Sequence, residues 1–200
     1  MKNIVTIDFD IIMAPCIDLY NHLVPRVPWF ELRHIPQLNL LTADMFYYQR
    51  LTEYLISLLP HLRFDQIHFV YEHQTATFKM PGDEKLTIYN IDHHHDCGYH
   101  DEQEPISEQD LTCANWVRKI KDFDLLERYI WIKNVNSDLK PEDFDMEENF
   151  MGSYNLEQIP IPDQLILVLS PQWVPEDFYP LFKLWQSIVT DYYKQPAIIE

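Results

Sequence analysis

Leu86-Thr87-Ile88-Tyr89-Asn90-Ile91-Asp92-His93-His94-His95-Asp96 changes character at Asp92. Before it the residues are mostly apolar, β-branched or aromatic, the composition of a buried strand; from it onward they are all Asp or His. On an extended backbone, alternate side chains point the same way, so Asp92, His94 and Asp96 would share one side of the strand exit. Two carboxylates and an imidazole there form a mixed oxygen and nitrogen donor set suited to Mn²⁺, Fe²⁺ or Zn²⁺. The plainer alternative is a solvated turn with incidental histidines. Three alternating ligand types at the carboxyl end of a strand favour the metal site.

Outward from this segment, residues 4–9, 66–71, 129–132 and 165–169 carry the same strand signature as 86–91. Helical spacing predicts a helix over 43–59, N-capped by Thr42, with Tyr47, Leu51, Tyr54, Leu55 and Leu58 on its inner face. A second helix is expected over 108–121. It would start at a capping-box-like Ser107 and Asp110 and bury Leu111, Ala114, Trp116, Val117 and Ile120. A third is expected over 176–193, with Phe178, Leu181, Phe182, Leu184, Trp185 and Ile188. Strands alternating with helices predict one α/β domain over residues 1–200, its mostly parallel sheet covered on both faces. Ligands in such folds bind beyond the carboxyl ends of the strands. Residues 138–162 are acidic and poorly periodic, and read as a lid or excursion; 25–36 reads as a Pro-rich ordered loop.

Composition narrows the function classes. A hydrophobic fraction of 46% supplies a core, and a net charge of −17 argues against a nucleic-acid surface. The acidity favours a cationic small molecule, a cationic peptide or a metal ion as partner. The glycines are Gly82, Gly98 and Gly152, too few and too scattered for a P-loop or a GxGxxG loop. No apolar run approaches the ~20 residues of a membrane span. Cys16, Cys97 and Cys113 have no CxxC spacing, and no leader-like segment precedes the first strand, so a reducing, cytoplasmic setting is expected. Oligomeric state stays open, with Trp29, Phe30, Tyr192 and Tyr193 as aromatic candidates for an interface.

Two further strand ends offer ligands. Asp8-Phe9-Asp10 follows Ile4-Val5-Thr6-Ile7, and two carboxylates so close repel unless a cation neutralises them. Glu72-His73 follows residues 66–71 and adds a nitrogen donor. Together Asp8, Asp10, His73, Asp92, His94 and Asp96 make about the ligand set of a two-metal hydrolase.

On these residues the chain resembles the ureohydrolase (arginase/agmatinase) superfamily, in particular its peptide-arginase-like branch. That family carries a metal His, an Asp-x-His-x-Asp strand exit and an Asp-x-Asp strand exit, matched here by His73, Asp92-His93-His94-His95-Asp96 and Asp8-Phe9-Asp10. Asn115-Trp116 with Tyr129-Ile130-Trp131-Ile132, and Leu167-Val168-Leu169-Ser170-Pro171, are similar to two further segments of that branch. The resemblance implies a three-layer α/β/α fold and a binuclear Mn²⁺ centre. Asp92 and Asp8 would bridge, His73 and Asp96 would hold one ion, and His94 and Asp10 the other. It implies hydrolysis of a guanidinium C–N bond, releasing urea and an amine. Two features depart from the family: Asp-x-Asp comes first in this chain, as a circular permutation would place it, and Ser170-Pro171-Gln172 lacks the late acidic residue. Glu176 is the candidate to hold the substrate cation in its place, and His95 and His100 are candidate proton shuttles, since histidine titrates near neutrality.

Rival readings exist. Asp8-Phe9-Asp10 also resembles the opening of haloacid-dehalogenase phosphatases, though Ile12 stands where Thr or Val is preferred. Asp92-His93-His94 resembles the DHH phosphoesterases, without the His expected ahead of the early Asp-x-Asp. A non-catalytic acidic binding protein on the same fold is the third. Metal content separates it from a two-metal enzyme.

Overall fold

β1 (Lys2–Asp8) is buried over its last five positions, and the strand Leu86–Asp92 over all seven. Burial of every position in a strand requires cover on both faces of its sheet, the condition parallel sheets meet. The computed structural model describes residues 1–13, 43–98, 110–133, 149–152, 156–171 and 173–195. After β1 and a 3-10 turn, Phe9–Ile12, come α1 (Met45–Leu58), β2 (Ile67–Val70), the 3-10 segment His73–Lys79 and β3 (Leu86–Asp92). Then follow α2 (Trp116–Asp122), β4 (Leu126–Lys133), β5 (Asn149–Gly152), β6 (Gln164–Val168) and α3 (Tyr179–Tyr193).

Among the described residues, six strands form one sheet in the order β2-β6-β1-β3-β4-β5, every neighbouring pair parallel. The α/β fold with a parallel sheet is therefore present. From β1 the chain runs first to β2 on one side and then to β3 on the other. β1 thus stands where the winding reverses, the position beyond which ligands bind in such sheets. Register makes the strand ends coincide: Ile7 pairs Ile91, Asp8 pairs Val168, and Val168 pairs Val70.

Alternating strand residues feed two apolar clusters. Val5, Ile7, Ile91, Leu165 and Leu167 pack with Tyr47, Leu51 and Leu55 of α1 and Phe182, Trp185 and Val189 of α3. Ile4, Ile88, Trp131, Ile166 and Val168 pack with Trp116, Val117 and Ile120 of α2. Each large apolar side chain so buried contributes roughly 1.5–3 kcal/mol. Trp185 anchors the first cluster: its ring meets Phe9 edge-on at 5.2 Å and stacks on Tyr48 at 5.6 Å, while Nε1 donates to Thr52 Oγ1 at 2.8 Å.

Several expected boundaries shift. The N-cap of α1 is Asp44, whose carboxylate accepts the Tyr47 N–H at 2.9 Å; Thr42 lies outside the described residues. The helix expected from 108 begins at Trp116, because Asn115 ties the preceding turn to itself. Its side chain accepts the Thr112 N–H at 2.8 Å and donates to Asp110 O at 3.0 Å. Such side-chain bonds compete with helical ones. Leu111 and Ala114 therefore precede α2 instead of lining it, and Ser107 lies outside the described residues. A 3-10 turn, Glu176–Phe178, leads into α3. β5 lies within the acidic 138–162 stretch, where Asn-Phe-Met-Gly is too short and too poor in β-formers to signal a strand. Residues 25–36, with Trp29 and Phe30, lie outside the described residues. Among the described residues no helix is long and apolar enough to cross a membrane.

Candidate metal centre

Two strands end in the same local device. Asp8 closes β1, and its Oδ1 accepts the amide of Asp10 at 3.2 Å; Asp92 closes β3, and its Oδ1 accepts the amide of His94 at 2.9 Å. A carboxylate that bonds the amide two residues on makes a tight turn, returning the next ligand-type side chain over the strand end. Asp10 is thus delivered by the 3-10 turn Phe9–Ile12. Asp96 follows at φ +53°, a left-handed conformation that Asp tolerates better than most residues. His73, three residues past the end of β2, opens the next 3-10 segment.

The structure brings Asp8, Asp10, His73, Asp92, His94 and Asp96 together. His73 Nδ1 lies 2.9 Å from Asp96 Oδ2, 3.1 Å from Asp8 Oδ2 and 3.2 Å from Asp92 Oδ2, and none of the three contacts has hydrogen-bond alignment. His94 Nδ1 lies 3.0 Å from Asp10 Oδ2 and 3.9 Å from Asp92 Oδ1. Two compact groups result, Asp8–His73–Asp92 and Asp10–Asp92–His94, with ligand atoms within 4.8 Å of one another in each. Asp92 belongs to both. The inner group is almost completely buried; His94 is 12% exposed and packs 5.2 Å from Trp173, on the solvent side. Both groups have the donors to hold a metal ion.

The electrostatics express crowding. Burial, and then the charges of Asp8 and Asp92, push the Asp10 carboxyl well above its ordinary range. Burial, and then the charge of Asp92, raise Asp96 to about 7 against the pull of His73. Burial would also raise Asp92, but the contact and charge of His73 outweigh it and hold that carboxyl low. Burial would lower His73, and the facing Asp96, Asp8 and Asp92 reverse it, raising the imidazole well above its usual value. Two imidazoles offset at most two of the four carboxylate charges. Buried Asp10 Oδ1 and His94 Nε2 have no hydrogen-bond partner among the described residues.

A shell of neutral donors fixes the carboxylates. Asn90 Nδ2 donates to Asp92 Oδ2 at 3.1 Å, and Thr6 Oγ1 holds Asn90 Oδ1 at 2.5 Å. Trp116 Nε1 donates to Asp96 Oδ2 at 2.6 Å, Trp131 Nε1 to Asp92 O at 3.0 Å, and the Ser170 hydroxyl to Asp8 Oδ2. Sequence reasoning assigned none of these a role. Thr6 and Asn90 were findable: both are polar in apolar strands, two residues before Asp8 and Asp92, hence on the same face.

Other candidates lie elsewhere. His95 is fully buried against Trp131, with Nδ1 accepting the Cys97 N–H at 3.1 Å, and belongs to neither group. Glu176 is exposed at the start of its 3-10 turn. His100 and Gln172 lie outside the described residues. Comparison with protein-family models, curated proteins and solved structures finds no match to this chain in any of the three.

Proposed function

We propose that this chain is a metal-dependent hydrolase of arginase-like type. Its substrate would be the guanidinium group of an arginine-containing peptide or small guanidino compound, cleaved to urea and an amine. The observation that carries the reading is Asp92 standing in both ligand groups, which is what a centre for two ions requires. The residues fit such a pair. Four carboxylates with two imidazoles leave negative charge unbalanced in a buried site, and Asp10 Oδ1 faces it without a hydrogen-bond donor. A cation supplies what both lack. The oxygen-rich set with one nitrogen per group suits Mn²⁺.

Asp8, His73 and Asp96 would hold one ion, Asp10 and His94 the other, with Asp92 between them. When bound, such ions polarise the scissile group and lower the pKa of a water at the site. The chain's own residues contribute the rest. Asn90, Trp116 and Ser170 orient the carboxylates, Trp173 and His94 form the outer side, and the net charge of −17 draws a cationic substrate inward. Cys97 and Cys113 form no disulfide among the described residues, which suits a cytoplasmic setting.

Elemental analysis of purified protein before and after incubation with Mn²⁺ tests the centre. Two ions per chain, followed by urea release from arginine peptides or guanidino compounds, is the expected result. Bound metal with phosphate-ester cleavage but no urea would move the chain to the phosphoesterases. No retained metal under either condition would leave an acidic binding protein.

A further inference from the structure

Ser170 ends the β6 region at φ +50°, a conformation that glycine adopts without cost and serine does not. Its amide donates to Tyr71 O at 2.8 Å, and its carbonyl accepts the Trp173 N–H at 2.9 Å and the Val174 N–H at 3.1 Å. Glycine would make all of these backbone bonds equally well. What serine adds is the hydroxyl, which is buried and donates to Asp8 Oδ2. That oxygen also lies 3.1 Å from His73 Nδ1, while Asp8 Oδ1 accepts the Asp10 amide. Donors from two separate elements therefore hold the two oxygens of Asp8, one each.

The geometry points to Ser170 as a positioning residue of the metal centre, its hydroxyl holding Asp8 in the orientation that shares an ion with His73 and Asp92. The inference rests on the two-ion reading above. A hydroxyl is suited to the task because it orients a carboxylate without neutralising it. A lysine or arginine in its place would compete with the ion for the same charge. The backbone strain at residue 170 is consistent with this use, since strained residues persist where their surroundings over-determine them, often at functional sites. The action is local to the inner group. The Ser170 hydroxyl donates to Asp8, a member of the inner group and not of the Asp10–Asp92–His94 group.

The test is calorimetric titration of the metal-stripped full chain with MnCl₂ at neutral pH, for the native chain, S170G, S170A and D8N. Loss of an outer-shell partner weakens metal binding by about 10- to 100-fold. S170G and S170A are expected to weaken one of the two bound ions by that factor, equally, and to leave the other unchanged. Their agreement isolates the hydroxyl, since the two variants treat the backbone strain differently. D8N loses the same ion, and adding S170G to it changes nothing further. Weakening of both ions, or a further effect in the D8N background, would make Ser170 a structural prop and overturn the proposal. So would native affinities in S170G and S170A while the native chain binds two ions, a result that leaves the centre itself standing. No binding by the native chain overturns the centre and the role of Ser170 together.

Discussion

Asp10→Asn should stabilise the metal-free protein and weaken the metal-bound one. Asp10 is fully buried, and a ligand-type oxygen of Asp92 lies within 4.8 Å of it. At an effective dielectric of about 20, two carboxylate charges about 5 Å apart repel by about 3 kcal/mol. Without metal at pH 8, the native chain must either carry that repulsion or keep a proton on Asp10 against the solvent. The amide of D10N does neither, keeps the shape, and has N–H groups to offer Asp92. A gain of about 1–3 kcal/mol follows, which in a chain of this size shifts Tm by roughly 2–4 °C per kcal/mol. Saturating metal reverses the sign. Each ion bound at about 100 times its Kd adds about 2.7 kcal/mol, and D10N lacks a ligand of the outer group. Thermal unfolding of both proteins, in chelator and in excess Mn²⁺, checks the inversion. A D10N chain that melts below the native one in chelator, or that gains as much from Mn²⁺ as the native chain does, would refute the reasoning.

Three further outcomes follow from the same geometry. Asp10 and Asp96 have folded-state pKa values raised above the ordinary 3.8, so their contribution is fully present below pH 4 and is lost as pH rises through each folded-state value, about 7 for Asp96. The metal-free Tm should fall from pH 5 to 8, less steeply in Asp96→Asn, and excess Mn²⁺ should flatten the fall because metal replaces the protons; a melting series over that range reads both. Asp92→Asn should abolish binding of both ions, because Asp92 stands in both groups, whereas Asp8→Asn should spare the Asp10–Asp92–His94 ion; titration with Mn²⁺ counts them. Asp44→Ala should destabilise the fold by about 1 kcal/mol through loss of the α1 cap, with metal stoichiometry unchanged, as denaturant unfolding and elemental analysis would show.

The parallel sheet was legible because its strands are apolar on both faces and its helices show helical spacing at residues such as Leu51, Leu55 and Trp185. Where a polar side chain took over the backbone, the pattern misled. Asn115 holds the turn that delays α2, and Asp8 bends Asp10 into a 3-10 turn, and neither event changes hydrophobic periodicity. The six ligand candidates were legible for a simpler reason: carboxylates and imidazoles at the ends of buried strands have few structural uses. Their supporting donors were harder to see. Trp116 and Trp131 read as core, and they are core, yet each indole N–H finds a partner in the cluster only through tertiary packing.

Motif order along the chain says little about whether a combined site forms. Asp10 and His94 are 84 residues apart in sequence and 3.0 Å apart in space, because β1 and β3 pair in parallel with Ile7 beside Ile91. Parallel pairing sends all carboxyl ends to one edge, and central strands bring theirs closest together. His73 arrives from β2, which is separated from β1 by β6, so it must reach across one strand. The loop after β6 is what fills that gap: Ser170 contacts Asp8 on one side and bonds the end of β2 through Tyr71 O on the other. An Asp-x-Asp at the start of the chain and an Asp-x-His-x-Asp in its middle therefore converge without any requirement on their order. The requirement falls instead on register, and a shift of one residue between β1 and β3 would turn Asp8 and Asp92 to opposite faces. Thr6 pairing Asn90 two residues earlier, hydroxyl to amide on the same face, holds that register with a buried polar bond that a slipped pairing could not make.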